Sequence, residues 1–447
     1  MFCEITTIAC WTTDAHGRGD ALSTRQEGPS MKIRSLTTAV VEANFDWTIL
    51  RLETDDGQVG WGESFFAPGL TRIIEQMSEL IVGDDARQIS AVISRLRAAA
   101  SGAGSVGGIV HNALSGIDAA LWDLNARALG VPLWRLLGGR FQDSVRVYAD
   151  CHGGAGLMGL GPMLDIRRPR WATDSEVAAG EVGRSLFDPG AETEPVDLEL
   201  LARRAAEAVA KGFDALKFDL DVPGLVPLRP GSRTMPAGAE SLARDMADAI
   251  REGAGEDVEL AFDLHWRYDF GSAVRLANAV SHLPILWLED PLPPENVQGL
   301  ISLAQVASAP LGGGENLVGH RAFEPLISAG SLSVVTPDLG KVGGVAEARR
   351  IAEAADARGL TIAPHNIAGP VGTAFAAQVS STWPNFLALE YHAQDVPFFG
   401  ELVTTPLIVD GAIEMTERPG IGVEIDLDVV RRWAKAGEPV FGEGPVR

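Results

Sequence analysis

The chain has 447 residues, of which 46% are hydrophobic and 22% charged, and its formal net charge is -23. A chain of this length and composition buries a large core without staples, and its acidic balance argues against nucleic acid or an anionic membrane as a partner. Its three cysteines are too few and too scattered for a disulfide framework or a CxxC zinc site.

Residues 1–30 are predicted to form a polar extension, and Met31 is an alternative start. This stretch carries Glu4 early and lacks the basic beginning and the long apolar centre of a secretory signal. The sequence also has no apolar run of the roughly 18 residues that a transmembrane helix needs. These features favour a cytoplasmic protein.

Residues 31–143 are predicted to form an α+β domain. The segment over 31–64 has the pattern of strands joined by a turn at 55–57. From about residue 72 to 137, apolar positions recur at helical spacing, and one helix ends near Gly130 with Pro132 beyond it.

From residue 144 to 400, short apolar segments alternate with amphipathic ones, which is typical of βα units and a parallel sheet. About eight strands across roughly 250 residues favour a closed (β/α)8-type barrel. An open, doubly wound sheet is the alternative, but no GxGxxG motif opens a helix after the first strand. The predicted strands cover 145–150, 215–220, 258–265, 285–291, 311–316, 332–338, 360–366 and 386–392, and residues 401–447 are predicted to return to the N-terminal domain.

Most of the predicted barrel strands end in ionisable residues, and catalytic groups gather at this face of a βα barrel. Asp263, Glu289 and Glu315 follow one another at intervals of 26 residues, about one βα unit, so we expect them on adjacent strands at one level. Three converging carboxylates repel each other unless a cation neutralises them, and oxygen-only ligands favour Mg²⁺. The full set is Lys217, Asp219, Asp263, His265, Glu289, Glu315, Asp338, His365 and Glu390.

Asp338 and His365 lie at the ends of two successive predicted strands. A carboxylate beside an imidazole fixes its tautomer and raises its basicity, which suits a general base. The alternative is an ordinary structural role: a helix cap or ion pair for the acids, and a satisfied polar residue for the histidine.

The order of these residues resembles that of the mandelate racemase subgroup of the enolase superfamily, over roughly residues 31–435. The stretch IDAALWDLNARALGVPLWRLLGG is similar to that family's capping-domain signature. The resemblance implies a modified TIM barrel with an N-terminal α+β capping domain. It also implies a homo-oligomer, a dimer or an octamer. The roles that it implies are Mg²⁺ binding for Asp263, Glu289 and Glu315, a dyad for Asp338 and His365, and a hydrogen bond to the substrate carboxylate for Glu390.

One motif departs from the racemases of this subgroup, which carry a KxK pair with the second lysine as a base. Here the motif is Lys217-Phe218-Asp219, so we do not expect proton abstraction from both faces of the substrate. Lys217 is expected to stabilise charge on the substrate carboxylate, or alternatively to form an ion pair with Asp219. Binding of a substrate hydroxyl is the other role considered for Asp219.

The Asp263-Leu264-His265 motif resembles sugar-acid dehydratases such as galactonate and mannonate dehydratases, in which this histidine protonates a leaving hydroxyl. The alternative is a histidine that merely lines the strand end. Further substrate contacts are predicted from Arg267, Asn316, Asn366 and Trp47, from the loops 44–47 and 64–69, and from Arg167, Arg168 and Arg170 in the stretch 151–195. For the three loop arginines the alternative is a solvated loop.

These residues together favour a Mg²⁺-dependent dehydratase of a sugar acid, either an aldonate or an aldarate. His365 is expected to take the proton next to the carboxylate and His265 to protonate the departing 3-hydroxyl, which gives a 2-keto-3-deoxy acid. A racemase, epimerase or cycloisomerase using the same enediolate is the first alternative, and the missing second lysine disfavours it. A non-catalytic binding barrel is the second, and the complete set of acids with the dyad disfavours it.

Overall fold

A computed structural model describes residues 31–102, 107–151, 171, 196–222, 224–226, 232–394 and 396–443. Two predictions lie outside these residues: the polar extension over 1–30, and the substrate contacts from Arg167, Arg168 and Arg170. Within the described ranges, no helix combines the length and apolarity that crossing a membrane requires.

The N-terminal part pairs a small antiparallel sheet with helices. Its strands are β1 (Ile33–Val41), β2 (Trp47–Thr54) and β3 (Val59–Ser64), and its helices are α1 (Leu70–Glu79), α2 (Ile89–Gly102), α3 (Ile109–Ala128) and α4 (Leu133–Leu136). Two glycines on β3 let α3 approach the sheet closely. A β-carbon on Gly60 would lie 2.2 Å from the Ala120 carbonyl oxygen, and one on Gly62 would lie 2.2 Å from that of Gly116. We call this part the cap.

The second part is a parallel barrel wrapped by helices. Its strands are β4 (Ser144–Asp150), β5 (Ala215–Asp219), β6 (Glu259–Asp263), β7 (Leu288–Glu289), β8 (Leu311–Gly313), β9 (Val334–Val335), β10 (Thr361–Ile362) and β11 (Leu389–Tyr391). Its helices are α5 (Leu198–Ala210), α6 (Ala239–Ala254), α7 (Phe270–Val280), α8 (Val297–Ala304), α9 (His320–Ala329), α10 (Val345–Asp356) and α11 (Pro370–Ser380). Asp197, Asp269 and Asn296 begin α5, α7 and α8, each accepting a backbone N–H from the first turn.

The sheet closes on itself, which confirms the predicted barrel. Strands β4 to β10 are hydrogen-bonded in sequence order, and β11 pairs in parallel with β4. The last gap is closed where the Ile362 N–H donates to the Asn385 carbonyl (2.9 Å) and the Leu387 N–H donates to that of Ile362 (2.7 Å). Several strands are shorter than predicted. Pro337 and Pro364 stand two residues beyond β9 and β10 and have no N–H to extend the ladder.

The C-terminal segment contacts both parts of the molecule. Strand β12 (Ala412–Glu414) pairs antiparallel with the start of β4. Beyond α12 (Leu427–Arg432), the Lys435 N–H donates to the Val40 carbonyl and the Phe441 N–H to that of Thr38, each at 2.8 Å. The chain end therefore runs along β1 of the cap. The exact boundaries predicted after residues 30, 143 and 400 stay predictions.

A layer of buried, mostly apolar residues fills the lower part of the barrel. It consists of Tyr148, Ala215, Ala261, Trp287, Val334, Ala363 and Ala388, and we call it the barrel floor. Side chains alternate along a strand, so the residue two positions further on faces the same way, one level higher. Those residues are Asp150, Lys217, Asp263, Glu289, Thr336, His365 and Glu390. The floor thus carries a buried polar layer directly above it.

Candidate active site

Three carboxylates converge above the barrel floor, two of them from the polar layer. Asp263 ends β6, Glu289 ends β7, and Glu315 follows β8 by two residues. One oxygen from each lies within 4.8 Å of the others, and all three side chains are buried. The structure therefore brings the predicted trio together.

The trio suits a hard cation. Its donors are all carboxylate oxygens, and the buried Oε1 of Glu289 has no hydrogen-bond partner. Burying a polar atom without a partner costs free energy, and a set of carboxylate oxygens is the kind of ligand set that binds a hard divalent cation. Asp263, Glu289 and Glu315 thus fit a divalent metal.

Lys217 lies at the centre of the acidic residues. Its Nζ is 2.7 Å from Glu390 Oε1, 2.9 Å from Asp263 Oδ2 and 3.0 Å from Glu289 Oε2. This partner set differs from the Lys217–Asp219 ion pair considered as an alternative. Although burial opposes the charge, the carboxylates of Asp263 and Glu289 raise the pKa of Lys217 well above its usual value. Lys217 is therefore a fixed positive charge in the site.

The crowding of acids also acts on Glu289 itself. The pKa of Glu289 is raised to about 7, chiefly by burial. Repulsion from Asp263 and Glu390 adds to this rise, and the positive charge of Lys217 opposes it. The raised pKa of Glu289 reflects a repulsion among the acids that a bound cation would relieve.

His365 and Asp338 form the predicted pair. His365 Nδ1 is 2.6 Å from Asp338 Oδ2, and its Nε2 is 3.3 Å from Glu315 Oε2. Burial alone would lower the pKa of His365, but the carboxylates of Glu315 and Glu390 and the bond to Asp338 raise it to about 9. The dyad therefore directs Nε2 towards the acidic trio.

Two residues predicted to contact substrate, Asn366 and Asn316, form hydrogen bonds within the protein. The side-chain amide of Asn366 donates to Thr373 Oγ1 (2.9 Å) and to the Glu390 carbonyl (3.0 Å). The backbone N–H of Asn366 donates to Glu390 Oε2 at 2.9 Å. Asn316 donates to Glu315 Oε1 at 3.2 Å and accepts from Lys341 Nζ at 3.2 Å. Both residues therefore orient site carboxylates, and their contact with substrate stays a prediction.

His265 lies across the trio from His365. Its Nδ1 is 3.0 Å from Asp221 Oδ1, and its backbone N–H donates to Asp263 Oδ1 at 2.9 Å. Although burial opposes protonation, Asp263, Asp221 and Asp219 raise the pKa of His265 well above its usual value. Ligand atoms of Asp219, Asp221 and His265 lie within 4.8 Å of one another. Arg267, two residues on, is half-buried.

The sequence reasoning missed Asp221, Asp150 and Lys341. Asp221 continues the alternation of Lys217 and Asp219 past the end of β5, and that signal was available. Lys341 is buried with its Nζ 3.9 Å from the centre of the Phe65 ring, so its position depends on contact between the cap and the barrel.

The cap contributes an aromatic surface to the barrel mouth. The Phe65 ring lies 6.1 Å from the His365 ring and stacks on Phe66 at 4.7 Å, and Phe66 stacks on Phe45 at 4.9 Å. These residues come from the two loops predicted to touch substrate. Trp47 is only 1% exposed and packs edge-on against Phe398 and Phe399, so its substrate contact stays a prediction.

A closed parallel barrel with three converging carboxylates beside a histidine–aspartate pair has the architecture of a metal-assisted acid–base enzyme. Family models agree with this description. The model for the mandelate racemase / muconate lactonizing enzyme N-terminal domain matches residues 24–138, and that for the enolase C-terminal domain-like family matches residues 200–429. The chain belongs to the mandelate racemase / muconate lactonizing enzyme family of the enolase superfamily, which confirms the resemblance.

Individual proteins match nearly the whole chain. A D-xylonate dehydratase of Haloferax volcanii is 35% identical over 92% of this chain and 91% of its own length. A D-gluconate dehydratase of Thermoproteus tenax is 28% identical over 89% of this chain and 72% of its own. The crystal structure of a mandelate racemase/muconate lactonizing enzyme-like protein from Rubrobacter xylanophilus has a TM-score of 0.80 and 35% identity, covering 92% of this chain and all of that one.

Proposed function

We propose that this chain is a Mg²⁺-dependent dehydratase that converts a sugar acid to a 2-keto-3-deoxy acid. The observation that carries the proposal is the placement of two histidines, His265 after β6 and His365 after β10. These strands are four apart in an eight-stranded barrel, so the imidazoles face the mouth from opposite sides. The similar proteins named as D-xylonate and D-gluconate dehydratases support the same reaction class.

His365 is the proposed base. A cation on the acidic trio would offset the carboxylates that raise the pKa of His365, so that its neutral form is available. Asp338 holds Nδ1, which leaves Nε2 to accept the proton from C2 and stabilises the imidazolium that forms. The electron pair of the broken C–H bond forms a C1–C2 double bond, and the π pair of the carboxylate moves onto its oxygen, which gives an enediolate. Lys217 provides a fixed positive charge against that developing negative charge.

His265 is the proposed acid. As the C2–C3 double bond forms, the C3–O bond breaks, and His265 gives its proton to the departing hydroxyl, which leaves as water. The enol then tautomerises to the 2-keto acid. Asp263, Glu289 and Glu315 would hold Mg²⁺, which supplies positive charge for the substrate carboxylate.

The Lys217-Phe218-Asp219 motif sets this proposal apart from racemisation. Asp219 is buried where a second lysine would stand, so the described residues offer one evident base, His365, for the C2 proton. In D₂O, the enzyme should exchange the α-proton of a 2-hydroxy acid with retention, if at all. Efficient interconversion of two enantiomers would argue for a racemase instead.

The test is a substrate panel followed by two variants. Purified protein with Mg²⁺ is incubated with D-xylonate, D-gluconate, D-galactonate and D-glucarate, and 2-keto acid formation is followed in samples with and without chelator. On a confirmed substrate, proton NMR in D₂O then measures α-proton exchange and dehydration separately.

The variants His365→Asn and His265→Asn should differ in this assay. General acids and bases are typically worth about 10²–10⁴-fold each. His365→Asn should lose both reactions, and His265→Asn should lose dehydration while still exchanging the α-proton. The opposite result would reverse the two roles, and full dehydration by both variants would overturn the mechanism.

We also propose that the protein is cytoplasmic and assembles as a homo-oligomer, a dimer or an octamer. Light scattering after size exclusion measures the mass directly, and a mass near 47.3 kDa would contradict the second proposal.

A further inference from the structure

We infer that Asp221 is a positioning residue that holds His265 for proton donation, so that the site contains two histidine–aspartate pairs. This inference rests on the proposed dehydration. Asp221 stands outside the acidic trio and outside the Asp338–His365 dyad, and the reaction as proposed so far gives it no part.

The contact between the two side chains is direct. Asp221 Oδ1 lies 3.0 Å from His265 Nδ1, and Asp221 is only 2% exposed. A carboxylate oxygen can only accept, so the hydrogen bond places the proton of this pair on Nδ1. In the protonated ring, which carries a hydrogen on both nitrogens, Nε2 gives its proton to a substrate oxygen while Nδ1 keeps the bond to Asp221.

Backbone bonds fix the segment that carries Asp221. The Leu220 N–H donates to the Asp263 carbonyl at 2.7 Å, and the hydroxyl of the fully buried Tyr268 donates to the Leu220 carbonyl at 2.6 Å. Leu220 is thus bonded on both sides to the segment that carries His265. The Asp221 carboxylate is therefore prepositioned, and its place does not depend on the histidine alone.

The backbone at His265 is strained. His265 and Trp266 have φ values of 41° and 52°, in the left-handed region that residues with a β-carbon rarely adopt. Two bonds maintain the turn: His265 N–H to Asp263 Oδ1 at 2.9 Å, and Trp266 N–H to the Asp290 carbonyl at 2.6 Å. Such strain persists where the surroundings enforce it, commonly at functional sites. Here it brings the imidazole of His265 against Asp221.

The arrangement repeats that of the base. In both pairs an aspartate oxygen contacts histidine Nδ1, at 2.6 Å for Asp338 and His365 and 3.0 Å for Asp221 and His265. The two aspartates are also placed alike. Asp338 follows β9 and Asp221 follows β5, each of which is the neighbouring strand before that of its histidine. One pair accepts a proton from C2, and the other gives a proton to the oxygen that leaves C3.

The experiment distinguishes the role of Asp221 from the roles of the other site residues by comparing a leaving group that needs a proton with one that does not. The variants Asp221→Asn, His265→Asn and the double variant are compared with wild type on the substrate found in the sugar-acid panel. Each is assayed for dehydration, for α-proton exchange in D₂O, and for fluoride release from the 3-deoxy-3-fluoro analogue. Fluoride departs with the C3–F bonding pair and needs no proton, while the C2 proton still goes to His365.

Asp221→Asn should lower kcat for dehydration by about 10²-fold, with little change in KM, because a general acid is worth about 10²–10⁴-fold. Exchange and fluoride release should stay near wild type, which also shows that the variant is folded. Since Asp221 acts through His265, the double variant should dehydrate no more slowly than His265→Asn, within about twofold.

Three results would overturn the inference. Wild-type dehydration by Asp221→Asn is one, and equal loss of exchange and fluoride release is another, because it indicates a general structural role. Losses that multiply in the double variant are the third. If wild type neither dehydrates nor exchanges any acid of the panel, the proposed function fails as well, so the two failures are distinguishable.

Discussion

Buried carboxylates occur in two regions of this molecule, and their surroundings differ. In the cap, Glu63 accepts the Gly369 N–H on Oε1 (2.6 Å) and the Gly372 N–H on Oε2 (2.8 Å). Asp123 accepts the N–H groups of Trp61 and Ile421 on its two oxygens, at 2.8 and 2.7 Å. In the barrel, the Oε1 of Glu289 has no hydrogen-bond partner.

The difference separates structural acids from site acids. Glu63 and Asp123 join segments that are distant in sequence, and each of their oxygens has a backbone donor. The trio of Asp263, Glu289 and Glu315 converges instead. Lys217 lies within 3.0 Å of Asp263 and Glu289, and Lys341 lies 3.8 Å from Glu315. Burial alone does not mark a site carboxylate. The trio differs by its convergence and by the unpartnered Oε1 of Glu289, which suit a divalent cation.

The largest expected effect is on metal binding by the trio. Glu289→Gln removes one negative ligand, and Mg²⁺ affinity should fall by about 10²-fold or more, with dehydration lost. Glu63→Gln is the matched control, because it makes the same change at an equally buried acid of the cap. Calorimetric titration should show near-normal Mg²⁺ affinity for the control. Wild-type affinity in Glu289→Gln would remove Glu289 from the site.

The affinity of the trio for Mg²⁺ should depend on pH through Glu289. Because the pKa of Glu289 is raised to about 7, a proton occupies this ligand at lower pH and must leave when the cation binds. Mg²⁺ affinity should therefore fall by about tenfold per pH unit below pH 7 and level off above it. Titrations from pH 5.5 to 8.5 measure this, and a flat profile would contradict it.

Loss of a structural acid should act on stability. Asp123→Ala leaves the buried N–H groups of Trp61 and Ile421 without acceptors and removes one of the partners of Arg127. The free energy of unfolding should fall by roughly 3 kcal/mol or more, at about 1–3 kcal/mol for each unsatisfied group. Chemical denaturation measures this change. The Mg²⁺ affinity of this variant should be unchanged. A large loss of affinity would contradict the distinction between structural acids of the cap and site acids of the barrel.

The smallest expected effect is the pH dependence of stability at Glu63. Burial raises the pKa of Glu63 from 4.5 to about 7, despite the hydrogen bonds from Gly369 and Gly372. The folded state therefore binds this proton more tightly than the unfolded chain does. Stability from this group is full below pH 4.5 and is lost as the pH rises to about 7. The slope of unfolding free energy between these values should be shallower in Glu63→Gln than in wild type.

Much of the barrel was predictable because most of its strands are short apolar runs with an ionisable residue at or just beyond their end. The even spacing of Asp263, Glu289 and Glu315 reflects one βα unit per ligand, so sequence distance reports position in the barrel. The Asp338–His365 pair was predictable for the same reason. Apolar runs are local features and the spacing of the site residues is periodic, so both can be recognised in the sequence alone.

The rest depends on contacts that no periodicity encodes. Asp221 reaches His265 only because the backbone after β6 adopts a left-handed turn. Trp47 lies at a predicted loop but is covered by Phe398 and Phe399, which are some 350 residues away in sequence. The side-chain NH2 group of Asn366, a predicted substrate contact, donates to Thr373 and to the Glu390 backbone, and its contact with substrate stays a prediction.

The barrel floor has a consequence for the traffic of small molecules. Tyr148 and Trp287 meet edge to face at 5.4 Å, and both are almost fully buried, so the barrel interior is filled beneath the polar layer. Within the part of the chain that the structure describes, substrate and product therefore use the same opening, between the barrel mouth and the aromatic surface of Phe45, Phe65 and Phe66. Product has to leave before the next substrate can enter, and accumulated product competes with substrate for the same empty protein.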